Sequence, residues 1–284
     1  MIGHKEPGST FPDFDFTSPL PAPAAQGPDF DFTSPLPSNL SGPNLDFTSP
    51  LPGIDYVRGS SDVPETPEGR QQADDMGRAF AARGGVDLII GNRGLQRVAG
   101  MMDGIARWNP DAAIIDSGEV FDPWHLGGLE GQPTEDVLPE MQRLIKDAPD
   151  ETPPGRGARS TADGESFNHF KGRWLSGLRT LMRHSLRQPS KKIALVTHYR
   201  GLKLAESWAR AGMPANDGIH TGHMLEKGTN EPGSVLRLAP HKSDKWSLSN
   251  AHLRQSEPLK PGIYITRHGK TAWNGHPTPT QRPK

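Results

Sequence analysis

Two histidines follow short apolar segments, and each could act as a nucleophile toward an anionic substrate. His198 ends the segment 192–198, and His268 follows the segment 262–266, between Arg267 and Gly269. A neutral imidazole is a competent nucleophile near neutral pH, and a guanidinium group can bind a phosphate through two parallel hydrogen bonds. A histidine at the end of a strand is often simply packed, so the surrounding pattern must decide between these interpretations.

The elements that would position these histidines alternate between strand and helix from about residue 53 onward. Thr66 and Thr134 are predicted N-caps. Apolar strands that alternate with helices indicate an α/β fold, with a mostly parallel sheet covered on both faces. Ligands of such folds bind where strands end and helices begin. The sequence predicts strands over 86–90, 112–116, 192–198, 234–238 and 262–266, and helices over 71–82, through 97 and 101, and over 134–146, 166–186 and 201–210.

Residues 1–52 form a proline-rich leader that contains the heptapeptide DFTSPLP three times. Frequent prolines disfavour helices and sheet pairing, and the leader has too little apolar surface to fold alone, so we expect it to be extended or disordered. Each copy could be a docking peptide for a protein partner, or the leader could be a spacer expanded by duplication. Identical copies between dissimilar spacers favour docking. The body is expected at 53–276 and a short tail at 277–284.

Composition excludes several classes of site and partner. The chain has no cysteine, so a disulfide framework and a thiolate metal site are excluded. The formal net charge of −1 gives no general attraction to nucleic acid, and no segment has the roughly 20 apolar residues that span a bilayer. No secretory signal is evident, so the sequence predicts a soluble cytoplasmic protein without nucleic-acid or membrane partners.

The segment 262–274, GIYITRHGKTAWN, resembles the opening of the histidine phosphatase (phosphoglycerate mutase-like) superfamily, an apolar strand followed by R-H-G-x-T-x-x-N. The family's G-x-x-D-x-P-L-T-x-x-G-x-x-Q-A segment is matched at 59–73, where Glu65 replaces the leucine. Its remaining motifs, S-S-x-L-x-R-A (in part), G-x-x-E-G, G-E-S and V-x-H-x-x-G, are matched at 92–98, 127–131, 164–166 and 196–201. The resemblance implies a three-layer α/β/α sandwich.

The order of these motifs follows the family from residue 59 onward, except that the family's first element stands last. This is the pattern of a circular permutation, and it covers about residues 53–274. The new ends fall in a loop, where cutting a compact domain is tolerated. The old ends would be joined by residues 241–261, which we expect to form a surface connector. Catalytic geometry depends on convergence in space, so the site can survive a change of chain order.

The resemblance implies a phosphate pocket around His268, which would take the phosphoryl group and become a phosphohistidine. Arg267, Arg97 and His198 match the family's other phosphate ligands. Such donors suit the charge that develops on the equatorial oxygens during transfer. Arg58 stands where family members often have a further residue on the phosphate side.

The proton donor is where this sequence departs from the family. The family's carboxylate falls at Pro123 here, and the nearest acid is Asp122, with Glu165 as the alternative. Thr271 and Asn274, which complete the R-H-G-x-T-x-x-N motif, are expected on the substrate side. No metal and no cofactor is expected.

The resemblance therefore implies a metal-independent phosphatase of the histidine acid phosphatase type. It would hydrolyse a phosphomonoester, either a phosphorylated small molecule or a phosphopeptide, through a covalent phosphohistidine. Two alternatives stay open: a phosphomutase, and a non-catalytic structural or adaptor protein of a larger assembly such as a virion. Retention of His268 and His198 favours catalysis over the adaptor.

Overall fold

The computed structural model describes residues 55–155, 163–226, 231–240, 245–251, 253, 257–271, 273 and 274. The repeat-containing leader at 1–52 and the predicted tail at 277–284 lie outside the described residues. Within the described ranges, no helix combines the length and the apolar character needed to cross a membrane.

A mixed sheet of six strands lies at the centre of the described part of the chain, in the order β2-β1-β3-β6-β4-β5. The first four strands in this order are parallel, β4 is antiparallel to β6, and β5 is antiparallel to β4. The last of the described strands in sequence, β6, thus lies inside the sheet, between β3 and β4. The strands are β1 (Leu88–Gly91), β2 (Ala113–Asp116), β3 (Lys192–Thr197), β4 (Val235–Pro240), β5 (Trp246–Asn250) and β6 (Gly262–Arg267).

Four of the six described helices begin at a side-chain cap or beside a proline. The Thr66 hydroxyl accepts a hydrogen bond from the Gly69 amide at the start of α1, and Ser166 does the same for His169 at the start of α4. Such caps satisfy amides that have no partner within the helix. The described helices are α1 (Pro67–Ala81), α2 (Gln96–Trp108), α3 (Thr134–Lys146), α4 (Phe167–Arg187), α5 (Tyr199–Arg210) and α6 (Thr221–Leu225).

The two faces of the sheet are covered by different helices. Ala194 and Val196 of β3 and Tyr264 of β6 share one apolar core with Phe80 of α1 and with α2. Because successive strand residues point to opposite faces, Leu195 faces the other side, where α4 and α5 contact β6. This arrangement is the predicted α/β layering, and it explains why β3 and β6 are buried along nearly their whole length.

Two predictions about local structure were wrong. Thr134 is the first residue of α3 and not its cap, because Pro133 occupies the capping position. The segment 241–261 is more than a surface connector, since it contains the edge strand β5, which pairs with β4. Most β5 residues are exposed or half-buried, so the strand has little of the apolar pattern by which sequence analysis finds strands.

Burial of β6 makes a direct prediction about stability. Ile265 of β6 is fully buried, whereas Leu186 of α4 is 55% exposed. We expect Ile265→Ala to lower the free energy of unfolding by about 2–5 kcal/mol, because it leaves a cavity in the core. The matched Leu186→Ala should change it by roughly 0.5 kcal/mol or less. Urea unfolding of both variants measures this, and equal small effects would show that β6 is not an inner strand.

Candidate active site

Parallel pairing of β3 and β6 brings the two histidines together. Thr197 lies opposite Arg267 in the register, and the His268 amide donates a hydrogen bond of 3.1 Å to the Thr197 carbonyl. His198 and His268 therefore leave the same edge of the sheet on neighbouring strands. Their ring centroids are 5.1 Å apart and the rings meet edge to face.

The His268 imidazole has a fixed tautomer and a lowered pKa. Its Nδ1 lies 2.7 Å from the Gly269 carbonyl oxygen. A carbonyl can only accept, so Nδ1 carries the proton and Nε2 keeps its lone pair. Burial, and then the charges of Arg97, Arg267 and Arg58, lower the pKa of His268 well below 6.5. The ring is therefore neutral near neutral pH.

His198 occupies the N-cap position of α5 without a side-chain capping bond, and it lines the same cavity as His268. It is buried, and its Nε2 has no hydrogen-bond partner among the described residues. Burial, followed by the charges of Arg97 and of His268 when protonated, lowers the pKa of His198 well below 6.5. A buried polar atom without a partner is costly, and a substrate oxygen would satisfy it.

Arg97 is the most enclosed cation of the site. It lies in the first turn of α2 and is fully buried; its Nη1 donates to the Ser61 carbonyl at 2.6 Å and its Nη2 to the Gly59 carbonyl at 2.8 Å. Burial, and then the charge of Arg58, lower the pKa of Arg97 to about 10. It remains a cation at neutral pH, held by backbone carbonyls that do not neutralise it.

Glu130 fixes the loop that holds Arg97. Its carboxylate accepts hydrogen bonds from the amide and hydroxyl groups of Ser60 and Ser61, at 2.6–2.9 Å, and from the Leu126 amide at 3.0 Å. Gly59 has a positive φ of 48°, and a Cβ atom there would meet the Glu130 carboxylate at 2.1 Å, so a side chain at this position would displace Glu130. The G-x-x-E-G and G-x-x-D-x-P motifs of the sequence are thus joined through a buried carboxylate.

A cavity of about 190 Å³ contains the convergent side chains. His268, His198, Arg267, Arg97 and Arg58 all line it. Burial, and then the charge of Arg58, also lower the pKa of Arg267 to about 10. The cavity can therefore bind a dianion beside a neutral imidazole.

The two candidate acids lie beside the cavity and differ in their partners. Asp122 is buried next to Pro123, which lines the cavity, and its Oδ1 accepts a hydrogen bond from Asn92. Glu165 accepts hydrogen bonds from Arg173, one of them from Nε at 3.1 Å. Burial opposes ionisation of Glu165, but the hydrogen bonds and charge of Arg173 prevail and lower its pKa. Glu165 is thus kept as a carboxylate.

Thr271 and Asn274 form a turn next to the site and do not line the cavity. The Asn274 Oδ1 accepts hydrogen bonds from the Thr271 amide at 2.9 Å and from its hydroxyl at 3.2 Å. The preceding Lys270 carbonyl accepts a hydrogen bond from the Thr66 amide at the start of α1. These contacts shape the loop after His268 and tie it to α1.

Among the cavity-lining residues that sequence reasoning missed are Tyr199 and Arg200. They follow His198 directly, within the H-x-x-G motif at positions that the motif leaves open. The Arg267 guanidinium carbon lies 5.3 Å from the Tyr199 ring centroid. In the sequence, their position directly after His198 was the one feature that could have indicated a place at the site. Among the described residues, no group of three or more His, Cys, Asp or Glu side chains is placed to hold a metal ion.

Comparisons with known proteins concern the family and the fold. The model of the histidine phosphatase superfamily (branch 1) matches residues 52–230. The R-H-G segment lies beyond that range. No curated protein sequence gives a significant match.

Two solved structures show a similar fold. A mycobacterial glucosyl-3-phosphoglycerate phosphatase with inorganic phosphate is 20% identical and has a TM-score of 0.53, over 72% of this chain and 95% of that chain. A phosphoglycerate mutase from Bacillus anthracis str. Sterne is 12% identical and has a TM-score of 0.50, over 70% of this chain and 89% of that chain. At these identities the likeness concerns the fold alone.

The lowered pKa values of the two histidines can be measured in the free protein. We expect two histidine ring signals in an NMR titration to have midpoints well below pH 6.5, and to vanish in His198→Ala and His268→Ala respectively. The unfolded chain would bind these protons near its ordinary pKa, so the free energy of unfolding should also fall as the pH drops below 6.5. Midpoints at or above 6.5 would contradict the buried, cationic surroundings described above.

Proposed function

Because the chain belongs to the histidine phosphatase superfamily, we propose that it hydrolyses phosphomonoesters through a covalent phosphohistidine on His268. The observation that carries the proposal is convergence: His268, His198, Arg97 and Arg267 line one cavity although they come from distant parts of the sequence. The general conclusion that the chain is of the phosphatase type rests on its membership of the family. The roles of individual residues are our assignment.

The proposed first step transfers the phosphoryl group to His268. Its Nε2 lone pair attacks phosphorus as the bond to the ester oxygen breaks, and the alcohol leaves with a proton from a nearby acid. Arg97 and Arg267 neutralise the equatorial oxygens, and His198 interacts with one of them. Water then attacks the phosphohistidine, gives a proton to the same acid, and releases inorganic phosphate.

We assign the acid role to Asp122. An acid must hold a proton at the start of the first step, and Glu165 is unsuited to this because Arg173 keeps it ionised. Asp122 is buried and directly precedes Pro123 of the cavity wall, and its carboxyl group accepts a hydrogen bond from the uncharged Asn92 amide. Arg58 is assigned to the substrate's phosphate, while Thr271 and Asn274 hold the loop that carries His268.

The nucleophile is tested by turnover of p-nitrophenyl phosphate with a chelator present. We expect His268→Ala to lower kcat by about a thousandfold or more, since it removes the group that forms the intermediate. His184→Ala, a change on α4 away from the cavity, is the matched control and should keep wild-type turnover. Equal rates for His268→Ala and wild type would contradict the proposal, and an inactive wild type would favour the adaptor alternative.

The acid is tested by changing the leaving group. Asp122→Asn should lower kcat/KM for a simple alkyl phosphate by about a hundredfold, because an alkoxide needs a proton in order to leave. The loss should be much smaller for p-nitrophenyl phosphate, whose phenolate leaves unprotonated. The same loss on both substrates would show that Asp122 is not the proton donor.

We also propose that the chain is circularly permuted with respect to its family. The family match precedes β6, yet β6 pairs with β3 inside the sheet and the loop after it contacts the start of α1. A rearranged sequence with residues 258–276 placed ahead of residue 53 should match the family over one range that includes the R-H-G motif. A match that still begins near residue 53 would argue against permutation.

The leader is proposed to tether the enzyme to a protein partner through its three DFTSPLP copies. Identical copies between dissimilar spacers support this, since several weak docking peptides on one chain raise the effective concentration. Removal of residues 1–52 should leave turnover intact and abolish capture of the partner. Loss of turnover would show that the leader belongs to the fold.

A further inference from the structure

The cavity contains more positive charge than one phosphoryl group requires. Among the described residues that line it, one aspartate and four arginines are charged: Asp55, Arg58, Arg97, Arg200 and Arg267. When both histidines are neutral, these residues give the lining a net charge of +3. A phosphomonoester carries a charge of about −1.5 to −2 near pH 7. About one positive charge is therefore left without a counterpart on the phosphate.

Arg200 is the arginine that stands apart from the phosphate pocket. The charge of Arg58 adds to the lowering of the pKa of both Arg97 and Arg267, because the three guanidinium groups lie close enough to repel one another. Arg200 instead lies beside Lys203, where burial lowers the pKa of the lysine and the charge of Arg200 adds to this lowering. The carboxylates that offset Arg97 electrostatically, Asp62, Asp122 and Glu130, do not line the cavity.

The neighbouring helix α6 holds Arg200 in place. Its Nη1 donates a hydrogen bond of 3.2 Å to the Met224 carbonyl of α6. The helix is fixed to α5 in turn, because His223 Nε2 lies 3.1 Å from the Glu206 carboxylate. Arg200 is thus a pre-organised cation at the cavity wall, and binding through it costs little conformational entropy.

The rest of the cavity wall suits a small organic group. Trp124, Leu126 and Met141 give it apolar surface, and the volume of about 190 Å³ suits a small molecule. An anion that meets Arg200 here must lie on the alcohol part of the substrate, since the phosphate is at His268. One unbalanced positive charge matches a carboxylate, whereas a second phosphate would bring nearly two negative charges.

We propose that Arg200 binds a carboxylate on the alcohol part of the substrate, so that the enzyme prefers small phosphomonoesters of hydroxy acids. This inference rests on the proposed function and refines it. The guanidinium–carboxylate pair can form two parallel hydrogen bonds, in a wall that is partly shielded from water. Arg200 is therefore a specificity-determining residue and takes no part in the transfer itself.

The preference can be measured with two probes that differ in one charge. Para-carboxyphenyl phosphate and its methyl ester have similar leaving groups, so the ratio of their kcat/KM values reports recognition of the carboxylate. We expect wild type to favour the acid by about tenfold or more, as for a charged hydrogen bond. Arg200→Gln should bring the ratio near one, and Arg200→Lys, which keeps the charge, should give a value between the two.

Arg183→Gln is the matched control, because Arg183 is an exposed arginine of α4 that does not line the cavity. It should keep the wild-type ratio. A wild-type ratio near one, or an unchanged ratio in Arg200→Gln, would overturn the inference while hydrolysis of both probes still supports the phosphatase. Failure of wild type to hydrolyse either probe would instead overturn the proposed function and the inference with it.

Discussion

The parallel pairing between β3 and β6 is the interaction on which the site depends. It sets Thr197 opposite Arg267, so the residue that follows each strand is a histidine at the same edge of the sheet. A slip of one residue in this register would exchange the β6 side chains that pack against α1 and α2 with those on the face covered by α4 and α5. Because both faces of β6 are buried, this packing fixes the register strongly. The geometry of the proposed nucleophile, His268, follows from the packing of the core.

A second constraint is the concentration of buried positive charge. Arg97 and Arg267 are buried close to Arg58, and each is harder to keep charged than an exposed arginine. Glu130 holds the 59–61 loop whose carbonyls accept from Arg97, and it offsets part of that charge. Burial, and then the charge of this cluster, lowers the pKa of both histidines and keeps them neutral. An anion that enters the cavity finds the donors already in place, which is how a fixed site stabilises the charge of phosphoryl transfer.

Much of the fold and the main residues of the site could be predicted from the sequence. The strands that end in His198 and His268 are continuous apolar runs, and Thr66 is a strong cap signal, so periodicity and capping found them. The edge strand β5 was not predicted, because most of its residues are exposed or half-buried and its sequence therefore has little apolar pattern.

Site residues that no motif marks were harder to find. Arg200 lies at a motif position of no fixed type, and only the turn into α5 and its bond to α6 bring it to the cavity. Thr271 and Asn274 fit a motif, yet their hydrogen bonds to each other show that a motif residue can shape a loop without lining the cavity. Sequence spacing predicts which residues share a neighbourhood, while tertiary contacts decide which of them face a ligand.

Detection of a phosphorylated intermediate is the most direct test of the role proposed for His268, which the β3–β6 pairing places beside His198. The full chain is mixed with substrate, quenched in base, where phosphohistidine survives, and digested for mass spectrometry. We expect an acid-labile phosphate on the peptide that contains His268, absent from the same peptide after acid treatment. Phosphate on another residue, or hydrolysis of substrate without any covalent adduct, would contradict the assignment of His268 as the nucleophile.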